Sequence, residues 1–520
     1  MIVNLIHPRL HQRLRVNRSF FSGLVQTPQR LMAHLGWLSC LLAPTVFAHN
    51  ITLPQDPHAL YAFLEAMPKG GELHYHLAGG AYAEPMLAEA ANHPWCLETH
   101  TQRINTQTNH CQGILTQHLK THKKLVQRVI NAWSLRDYHG LHAHDHFFDS
   151  FFKFLPVIQH YPAPMLASVL QRAARQHELY MEIMILPDNG DAIDFAPRIH
   201  HLPDYASKQR ALLNDPAFVN NIDNTIKTSR DIREKTEKIL RCHQAHPDPA
   251  CQITFKFQTY VLREQSADSV FAQALNAFVA VTRSPELVGV NLVQPEDGEL
   301  SLKNYTEHMR IFQFLHQAYP QVHIALHAGE LSTDLPIPAH HLRSHIQDAI
   351  RIGQAQRIGH GVDLAYEDNK ESLLDWMARV PVPVEINLTS NQRILHVEGD
   401  QHPLRLYLSH HVPVVLSTDD EGILRTDLTQ QYVMAVKNHH LNYTQLKQIN
   451  RNALTYSFLP GQSLWAQPDL AIRVPVCRNQ QHPRCLRWLK SNPKARLQWT
   501  LEQQLERFEL SHGVNPNRER

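Results

Sequence analysis

The sequence lacks the short motifs of several familiar protein classes. No Cys-x-x-Cys occurs among its seven cysteines, which argues against a zinc ribbon or a thioredoxin-type redox site. No Gly-x-Gly-x-x-Gly follows the first predicted strand, so a nucleotide-binding doubly wound fold loses support. Charge of one sign is not in excess, because 50 Lys and Arg stand against 48 Asp and Glu. We therefore predict no nucleic-acid partner.

Length and composition point to a globular protein with a large core. The 520 residues are 43% hydrophobic, enough for several ordinary domains or for one large barrel with insertions. The 38 histidines are unusual, and most stand singly in polar stretches. A single His-x-His among so many is therefore weak evidence for a metal site.

The first 48 residues have the pattern of an export signal. Five arginines between Arg9 and Arg30 precede an apolar run over 31–47, which ends at Val46-Phe47-Ala48, a small-x-small variant of a cleavage site. A membrane-anchoring helix is the alternative, but the run is short and contains Pro44. We expect the signal to be removed, leaving a periplasmic or secreted chain with no stable membrane insertion.

The remaining cysteines support an oxidising compartment. Cys40 lies in the predicted signal, and the other six fall into near-neighbour pairs that would each close a short loop. The connectivity stays open at this point. The pairs are Cys96/Cys111, Cys242/Cys251 and Cys477/Cys485.

Short apolar, mostly β-branched segments alternate with amphipathic stretches along the chain, which is typical of a parallel sheet covered on both faces. Eight such strands predict an α/β fold, a TIM (β/α)₈ barrel, with an open doubly wound sheet as the alternative. The predicted strands are Glu72–Leu77, Tyr180–Ile185, Ile253–Leu262, Leu287–Val293, Val322–His327, Arg357–His360, Val382–Leu388 and Val412–Ser417. The predicted helices between them are Met165–Leu179, Ser266–Arg283, Tyr305–Ala318, Ser344–Ile352 and Lys370–Arg379.

Polar regions that interrupt this alternation set the predicted domain boundaries. Residues 49–71 form an N-terminal segment, 72–460 the barrel, and 461–520 a C-terminal helical cap and tail. An insertion at about 92–130, closed by Cys96 and Cys111, follows the first strand as a disulfide-closed subdomain. Residues 189–249 are expected to form extra helices outside the barrel.

Histidines and an aspartate recur where barrel strands end. Side chains alternate along a strand, so His74 and His76 project to the same side. His327 ends the fifth predicted strand, and Asp419 follows the eighth. Because the carboxyl ends of barrel strands meet at one face, these residues predict a single Zn²⁺ site. A bound metal would lower the pKa of a coordinated water to near neutrality.

Three further residues suit proton transfer and substrate binding at this face. Glu330 lies three residues beyond His327 and could move a proton without binding the metal. His360, at the end of the sixth strand, could orient the attacking water. Asp420 points elsewhere than Asp419 and could hydrogen-bond the substrate.

These segments, in this order, resemble the adenosine deaminase family over roughly residues 65–460. The export signal, the cysteine-bearing insertion and 144–148 (His-Asp-His-Phe-Phe) look like the secreted, growth-factor-type branch of that family. The motifs that carry the resemblance are Met67–Leu77 with its His74-x-His76, His327-Ala328-Gly329-Glu330, Arg357–Gly361 and Ser417-Thr418-Asp419-Asp420.

The resemblance implies a role for each residue of the site. One zinc per chain would be held by four ligands, which are His74, His76, His327 and Asp419. Glu330 would donate a proton to purine N1 while water adds to C6, His360 would orient that water, and Asp420 would contact N7. The implied reaction converts adenosine or 2′-deoxyadenosine to inosine or its deoxy form, with release of ammonia.

The expected partners are a purine nucleoside and a second copy of the chain in a homodimer. The Pro-Cys-x-x-Cys element of the zinc deaminases that act on flipped bases is absent, so that mechanism is not implied.

Two positions depart from the family pattern. Ala78 stands where the family commonly keeps an aspartate near the ribose, and Gln294 stands where a glycine backbone meets the purine. Gln294 and Glu182 are predicted as substrate contacts. The departures leave two alternatives open: deamination of another aminopurine such as adenine or a modified nucleoside, and an extracellular signalling or binding protein with secondary catalysis.

Two more expectations concern residues outside the motifs. The aromatic cluster Phe147, Phe148, Phe151 and Phe152 is predicted to be structural, because aromatic clusters are more often core than ligand site. Lys69 is predicted to lie on the surface between a helix and the first strand.

Overall fold

The computed structural model describes residues 51–107, 109–138, 140 and 142–513. The predicted signal peptide and the tail at 515–520 lie outside these residues. Within them, no helix combines the length and apolarity that a membrane crossing requires.

Eight parallel strands form the central sheet, in chain order, and confirm the predicted barrel. The sheet closes where Tyr75 of the first strand bridges Asp419, and the amide of His76 donates to the Asp419 carbonyl at 3.0 Å. The barrel strands are β1 (Lys69–His76), β2 (Glu178–Ile185), β3 (Thr254–Leu262), β4 (Leu287–Val293), β5 (His323–Ala328), β6 (Arg357–His360), β7 (Val384–Ile386) and β8 (Val414–Leu416).

Helices connect the strands and pack around the sheet. The α-helices of the described residues are α1 (Pro57–Ala66), α2 (Leu77–Gly80), α3 (Ala83–Ala90), α4 (Lys123–Ala132), α5 (Ala143–His160), α6 (Pro162–Arg175), α7 (Tyr205–Leu213), α8 (Pro216–Ile239), α9 (Ala267–Arg283), α10 (Glu299–Ala318), α11 (His345–Arg351), α12 (Lys370–Arg379), α13 (Leu388–Leu395), α14 (Leu404–Ser409), α15 (Glu421–Leu424), α16 (Leu428–His439), α17 (Tyr443–Thr455), α18 (Pro483–Ser491) and α19 (Pro493–Ser511). Short 3₁₀ helices lie at Thr116–Thr121, Asp191–Arg198, Pro249–Gln252, Ala339–Arg343, Val362–Tyr366, Gly399–Gln401, Pro468–Leu470 and Pro475–Cys477.

Apart from α10, which begins at Glu299 and not at the predicted Tyr305, the predicted helices match closely except at the approach to β2. The apolar pattern extended that helix to Leu179, whereas α6 ends at Arg175. His177 takes a left-handed conformation, with φ 59°, and turns the chain so that β2 begins at Glu178. The hydrophobic pattern could not locate this turn, because buried helix and buried strand look alike over a few residues.

The three predicted disulfides are present, and each closes a peripheral element. Cys96–Cys111 closes a small antiparallel sheet in the insertion, Cys242–Cys251 follows α8, and Cys477–Cys485 joins the cap to α18. The insertion sheet shares the main core through Trp95, Leu97 and Ile104. Its strands are Cys96–Glu98, Ile104–Asn105 and Gly113–Leu115, and the cap has a hairpin of Trp465–Gln467 and Ile472–Arg473.

Lys69 contradicts its predicted surface position, because its side chain is fully buried at the start of β1. Its ammonium donates to the carbonyls of Leu64 at 2.8 Å, Met67 at 3.2 Å and Gln176 at 2.9 Å. These carbonyls lie at the C-terminal ends of α1 and α6, where helices leave acceptors unsatisfied. Burial lowers the pKa of Lys69 to about 8. One buried ammonium thus ties two helix ends to the first barrel strand.

We expect Lys69→Ala to lower the free energy of unfolding by about 3–5 kcal/mol, because it leaves buried polar groups without a partner. Guanidinium unfolding followed by circular dichroism measures the change. Lys227→Ala is the matched control, since that side chain is 65% exposed and should change stability by no more than about 0.5 kcal/mol. Equal stability of the two variants would contradict the role assigned to Lys69.

Candidate metal centre and its cavity

The predicted metal ligands converge at the carboxyl ends of the barrel strands. Nε2 of His76 lies 3.1 Å from Nε2 of His327, and Oδ1 of Asp419 lies 3.3 Å from Nε2 of both His74 and His76. His360 also faces this point, with its Nε2 3.9 Å from Oδ2 of Asp419. Four strands, β1, β5, β6 and β8, therefore supply one compact cluster.

Two of these side chains are directed toward the cluster by a left-handed backbone conformation. His360 ends β6 with φ 68°, and Asp419 follows β8 with φ 66°. Residues other than glycine rarely adopt this region, and such positions cluster at functional sites. The bridge between Tyr75 and Asp419 holds the second of them in place as the barrel closes.

Hydrogen bonds to the Nδ1 atoms fix two of the imidazoles. His74 Nδ1 lies 2.7 Å from Oε2 of Glu385, and His327 Nδ1 lies 2.9 Å from Oδ1 of Asn291. Because both partners are acceptors, each Nδ1 carries the proton and each Nε2 turns a lone pair toward the cluster. Metal-binding histidines are typically held in this way.

His360 has the opposite arrangement. His402 Nδ1 accepts from the Leu404 amide at 3.1 Å, so its Nε2 carries the proton and donates to Oδ1 of Asn391 at 3.0 Å. The Asn391 amide nitrogen therefore donates to Nδ1 of His360, also at 3.0 Å. The neutral His360 ring must then carry its proton on Nε2, the atom that faces the cluster. This makes His360 a hydrogen-bond donor toward the cluster and unsuited to bind a metal.

The donor set fits a zinc ion. Three imidazole nitrogens and one carboxylate, from His74, His76, His327 and Asp419, are ligands that Zn²⁺ takes in catalytic sites. Nε2 of His74 and Oδ1 of Asp420 are buried and make no hydrogen bond to any described residue. A buried polar atom without a partner is costly unless a bound ion or ligand satisfies it.

The charges of the cluster are those that a cation requires. Burial lowers the pKa of His76 and His327, so both rings are neutral. Burial opposes ionisation of Asp419, but the adjacent imidazoles of His74 and His76 outweigh this and hold its pKa well below the ordinary value. Burial likewise opposes protonation of His74, but Asp419 and Glu385 raise its pKa to about 9. A metal ion would take the place of that proton between the two carboxylates.

Glu330 lies beside the cluster, on a turn of the chain. The carboxylate of Glu296 holds this turn in place. Oε1 of Glu330 is 3.7 Å from Nε2 of His360. Glu296 accepts hydrogen bonds from the amides of Gly329 at 3.1 Å and Glu330 at 2.9 Å, and it is itself held by His345 Nδ1 at 2.5 Å. Burial, followed by the charge of Asp419, raises the pKa of Glu330 to about 8. No sequence motif pointed to Glu296 or His345.

Glu182 does not lie where it was predicted. The structure places it beneath the cavity, where it accepts from Arg357 Nη2 at 2.7 Å and from Tyr180 at 2.9 Å. The same guanidinium donates through Nε to Glu385 at 2.6 Å. Glu182 therefore supports His74 through Arg357 and Glu385 and is not among the residues that line the cavity. Arg357, a charged residue in the sixth predicted strand, was the sequence feature that could have indicated this network.

A cavity of about 460 Å³ opens from the cluster, and Asp420, Gln294 and Ala78 line it. Gln294 keeps the left-handed backbone that a glycine would favour, with φ 87°, and its Oε1 accepts from the Glu264 amide at 2.9 Å. The aromatic cluster of α5, predicted to be mostly structural, packs in part against the main core and also lines this cavity. Those side chains are Phe147, Phe148, Phe151 and Phe152.

A protein-family model matches the part of the chain that carries β3 to β8. The family model described as adenosine deaminase matches residues 220–466. The chain is thus similar to this family over slightly less than half of its length. The match runs past β8 and contains His327, Glu330, His360 and Asp419, whereas the histidine pair of β1 lies outside it.

Curated relatives align over a shorter stretch. The adenosine deaminase of Klebsiella pneumoniae (strain 342) is 37% identical over 141 residues, and that of Escherichia coli (strain SMS-3-5 / SECEC) is 35% identical over 141 residues. Each alignment covers 27% of this chain and 39% of the relative. The chain therefore spans about two fifths of the length of these relatives.

Among solved structures, arabidopsis ADAL complexed with IMP has a TM-score of 0.50 at 17% identity. The superposition covers 86% of this chain and 99% of that chain. At this identity the likeness shows the barrel fold.

We expect Glu385→Gln to weaken Zn²⁺ binding about 10- to 100-fold, because it removes the carboxylate that orients His74. Competition with a chelating dye measures the dissociation constant. Glu371→Gln, at a side chain 67% exposed on α12, is the control and should leave the affinity unchanged. Equal zinc affinity in the two variants would contradict the support role of Glu385.

Proposed function

We propose that the protein is a zinc-dependent hydrolase that deaminates adenosine or 2′-deoxyadenosine, releasing ammonia and forming inosine or its deoxy counterpart. The observation that carries the proposal is the placement of Glu330 and His360 beside the same cluster, 3.7 Å from each other. A proton carrier and a water-orienting donor thus stand next to four metal-ligand side chains, at the inner end of a cavity that can hold a purine.

His74, His76, His327 and Asp419 would hold one zinc ion per chain. When bound there, zinc would lower the pKa of a coordinated water to near neutrality. The zinc content is a proposal that rests on the donor set, the proton positions on the ring nitrogens and the unsatisfied Nε2 of His74.

The remaining residues act on the substrate. Glu330 holds a proton that it can pass to ring nitrogen N1, which makes C6 more electrophilic. His360 donates from Nε2 to the oxygen that adds to C6 and so fixes the line of attack. Asp420 would share a proton with N7, a role supported by its Oδ1, which is buried without a partner.

We also propose that the protein works outside the cytoplasm, as a member of the secreted, growth-factor-type branch. Three disulfides in the described residues fit an oxidising compartment. The export signal and the homodimer remain predictions from the sequence.

The alternative substrate is another 6-aminopurine, favoured by the change at one position that would meet the sugar and at one that would meet the purine. Ala78 offers no hydrogen bond, and the Gln294 side chain is held by the Glu264 amide. We disfavour a protein that only binds its ligand. Such a protein would not require Glu330 and His360, which suit proton transfer, beside the metal ligands.

Glu330→Gln should keep zinc and lose activity about 10²- to 10⁴-fold, because the amide holds the position but cannot deliver the proton. Ammonia release measures the turnover, and metal analysis measures the zinc content. Glu234→Gln, 65% exposed on α8, is the control. Near wild-type turnover by Glu330→Gln would refute the proton-transfer role.

His327→Ala should lose both zinc and activity, because it removes one of the three imidazole ligands. Metal analysis after dialysis against a weak chelator gives the readout, and His243→Ala, 82% exposed after α8, serves as control. Stoichiometric zinc retained by His327→Ala would show that the ligand set is wrong.

A further inference from the structure

We propose that the preferred substrate is an uncharged 6-aminopurine derivative that carries an apolar arm away from C6, such as a 5′-alkylthio-5′-deoxyadenosine, and that 5′-phosphates are rejected. The inference rests on the proposed deaminase function. It concerns the part of the cavity that the purine ring does not fill.

The first wall of this part is an aromatic face of α5. Phe148, Phe151, Phe152 and Leu155 recur at helical spacing on one side of the helix, and all line the cavity. Phe147 packs against Phe151 with ring centroids 5.4 Å apart. Phe152 is 66% exposed, which is a large apolar surface to leave in water at the cavity wall.

Other strands and helices also contribute apolar side chains to the lining, which is continuous with the metal cluster. Ile185 and Leu186 at the end of β2, Val293 at the end of β4 and Ile232 of α8 line the same cavity as His327. A substrate with C6 at the cluster must therefore direct the rest of its structure between aliphatic and aromatic side chains. Burial of apolar surface there favours an apolar substituent.

The charges of the cavity exclude a phosphate. No Lys or Arg lines it among the residues the structure describes, and its charged side chains are all acidic. Glu264, one of these, already accepts from the amides of Leu300 and Ser301, each at 2.9 Å. A phosphate placed here would be desolvated beside carboxylates without a cationic partner, which is strongly unfavourable.

The test compares kcat/KM for 5′-deoxyadenosine, its 5′-methylthio, ethylthio and butylthio derivatives, adenosine and AMP. Each added methylene should raise kcat/KM about 4-fold, the factor that corresponds to burying one such group. Adenosine should fall below the methylthio compound, and AMP should be the poorest substrate. A series that is flat with arm length, or AMP equal to adenosine, would overturn the inference.

A variant pair assigns the effect to the α5 wall. Phe152→Ser should lower the ratio of kcat/KM for the butylthio compound to that for 5′-deoxyadenosine at least about 4-fold, mainly through KM. Leu470→Ser is the matched control, because Leu470 is 69% exposed and lies in the cap, and its ratio should equal that of the wild type. An unchanged ratio in Phe152→Ser would place the arm elsewhere and contradict the proposed wall.

Binding of the 6-oxo products by calorimetry separates the two proposals, because it needs no turnover. If no compound releases ammonia but affinity still rises with arm length, the deaminase proposal fails and the apolar-arm preference stands. If adenosine is deaminated and neither rate nor affinity depends on arm length, the deaminase proposal stands and this inference fails.

Discussion

The buried contact between Arg357 and Glu385 is the constraint on which the rest of the site depends. Arg357 is fully enclosed by the barrel, and Glu385 joins it to His74 through two short hydrogen bonds. Two charges inside a protein are costly unless each finds its partner in good geometry. The network therefore fixes the His74 ring, with Glu182 as the second carboxylate on the guanidinium.

Closure of the barrel positions the carboxylate of the cluster, Asp419. Asp419 bridges to β1 through its backbone while its carboxylate meets the histidines of the same strand. Glu296 fixes the turn that carries Glu330, and Asn391 sets the proton on His360. Asp419, Glu330 and His360 are thus each held by a buried partner, so this part of the cluster is preorganised before any ligand arrives.

Much of the fold and of the cluster could be predicted from the sequence, because both leave local signals. Short apolar strands mark the barrel, and His74, His76, His327 and Asp419 stand where strands end. The residues that hold Glu330 leave no such signal, since Glu296 and His345 are distant in sequence and meet only in the fold. Lys69 was misplaced for a similar reason. Helix ends that need a buried cation are visible only once the helices are packed.

The aromatic residues of α5 show the same limit. Their spacing predicts a helix with an apolar face, but spacing does not tell whether that face meets the core or a cavity. The proton on His360 likewise depends on a chain through Asn391 and His402 that only the structure reveals.

Anomalous diffraction at the zinc absorption edge, from crystals of the full chain grown with zinc, tests the central claim most directly. The account predicts one strong peak bounded by Nε2 of His74, His76 and His327 and by the carboxylate of Asp419, with Nε2 of His360 outside the ligand set. A peak coordinated by His360, or no peak at the barrel mouth, would contradict it.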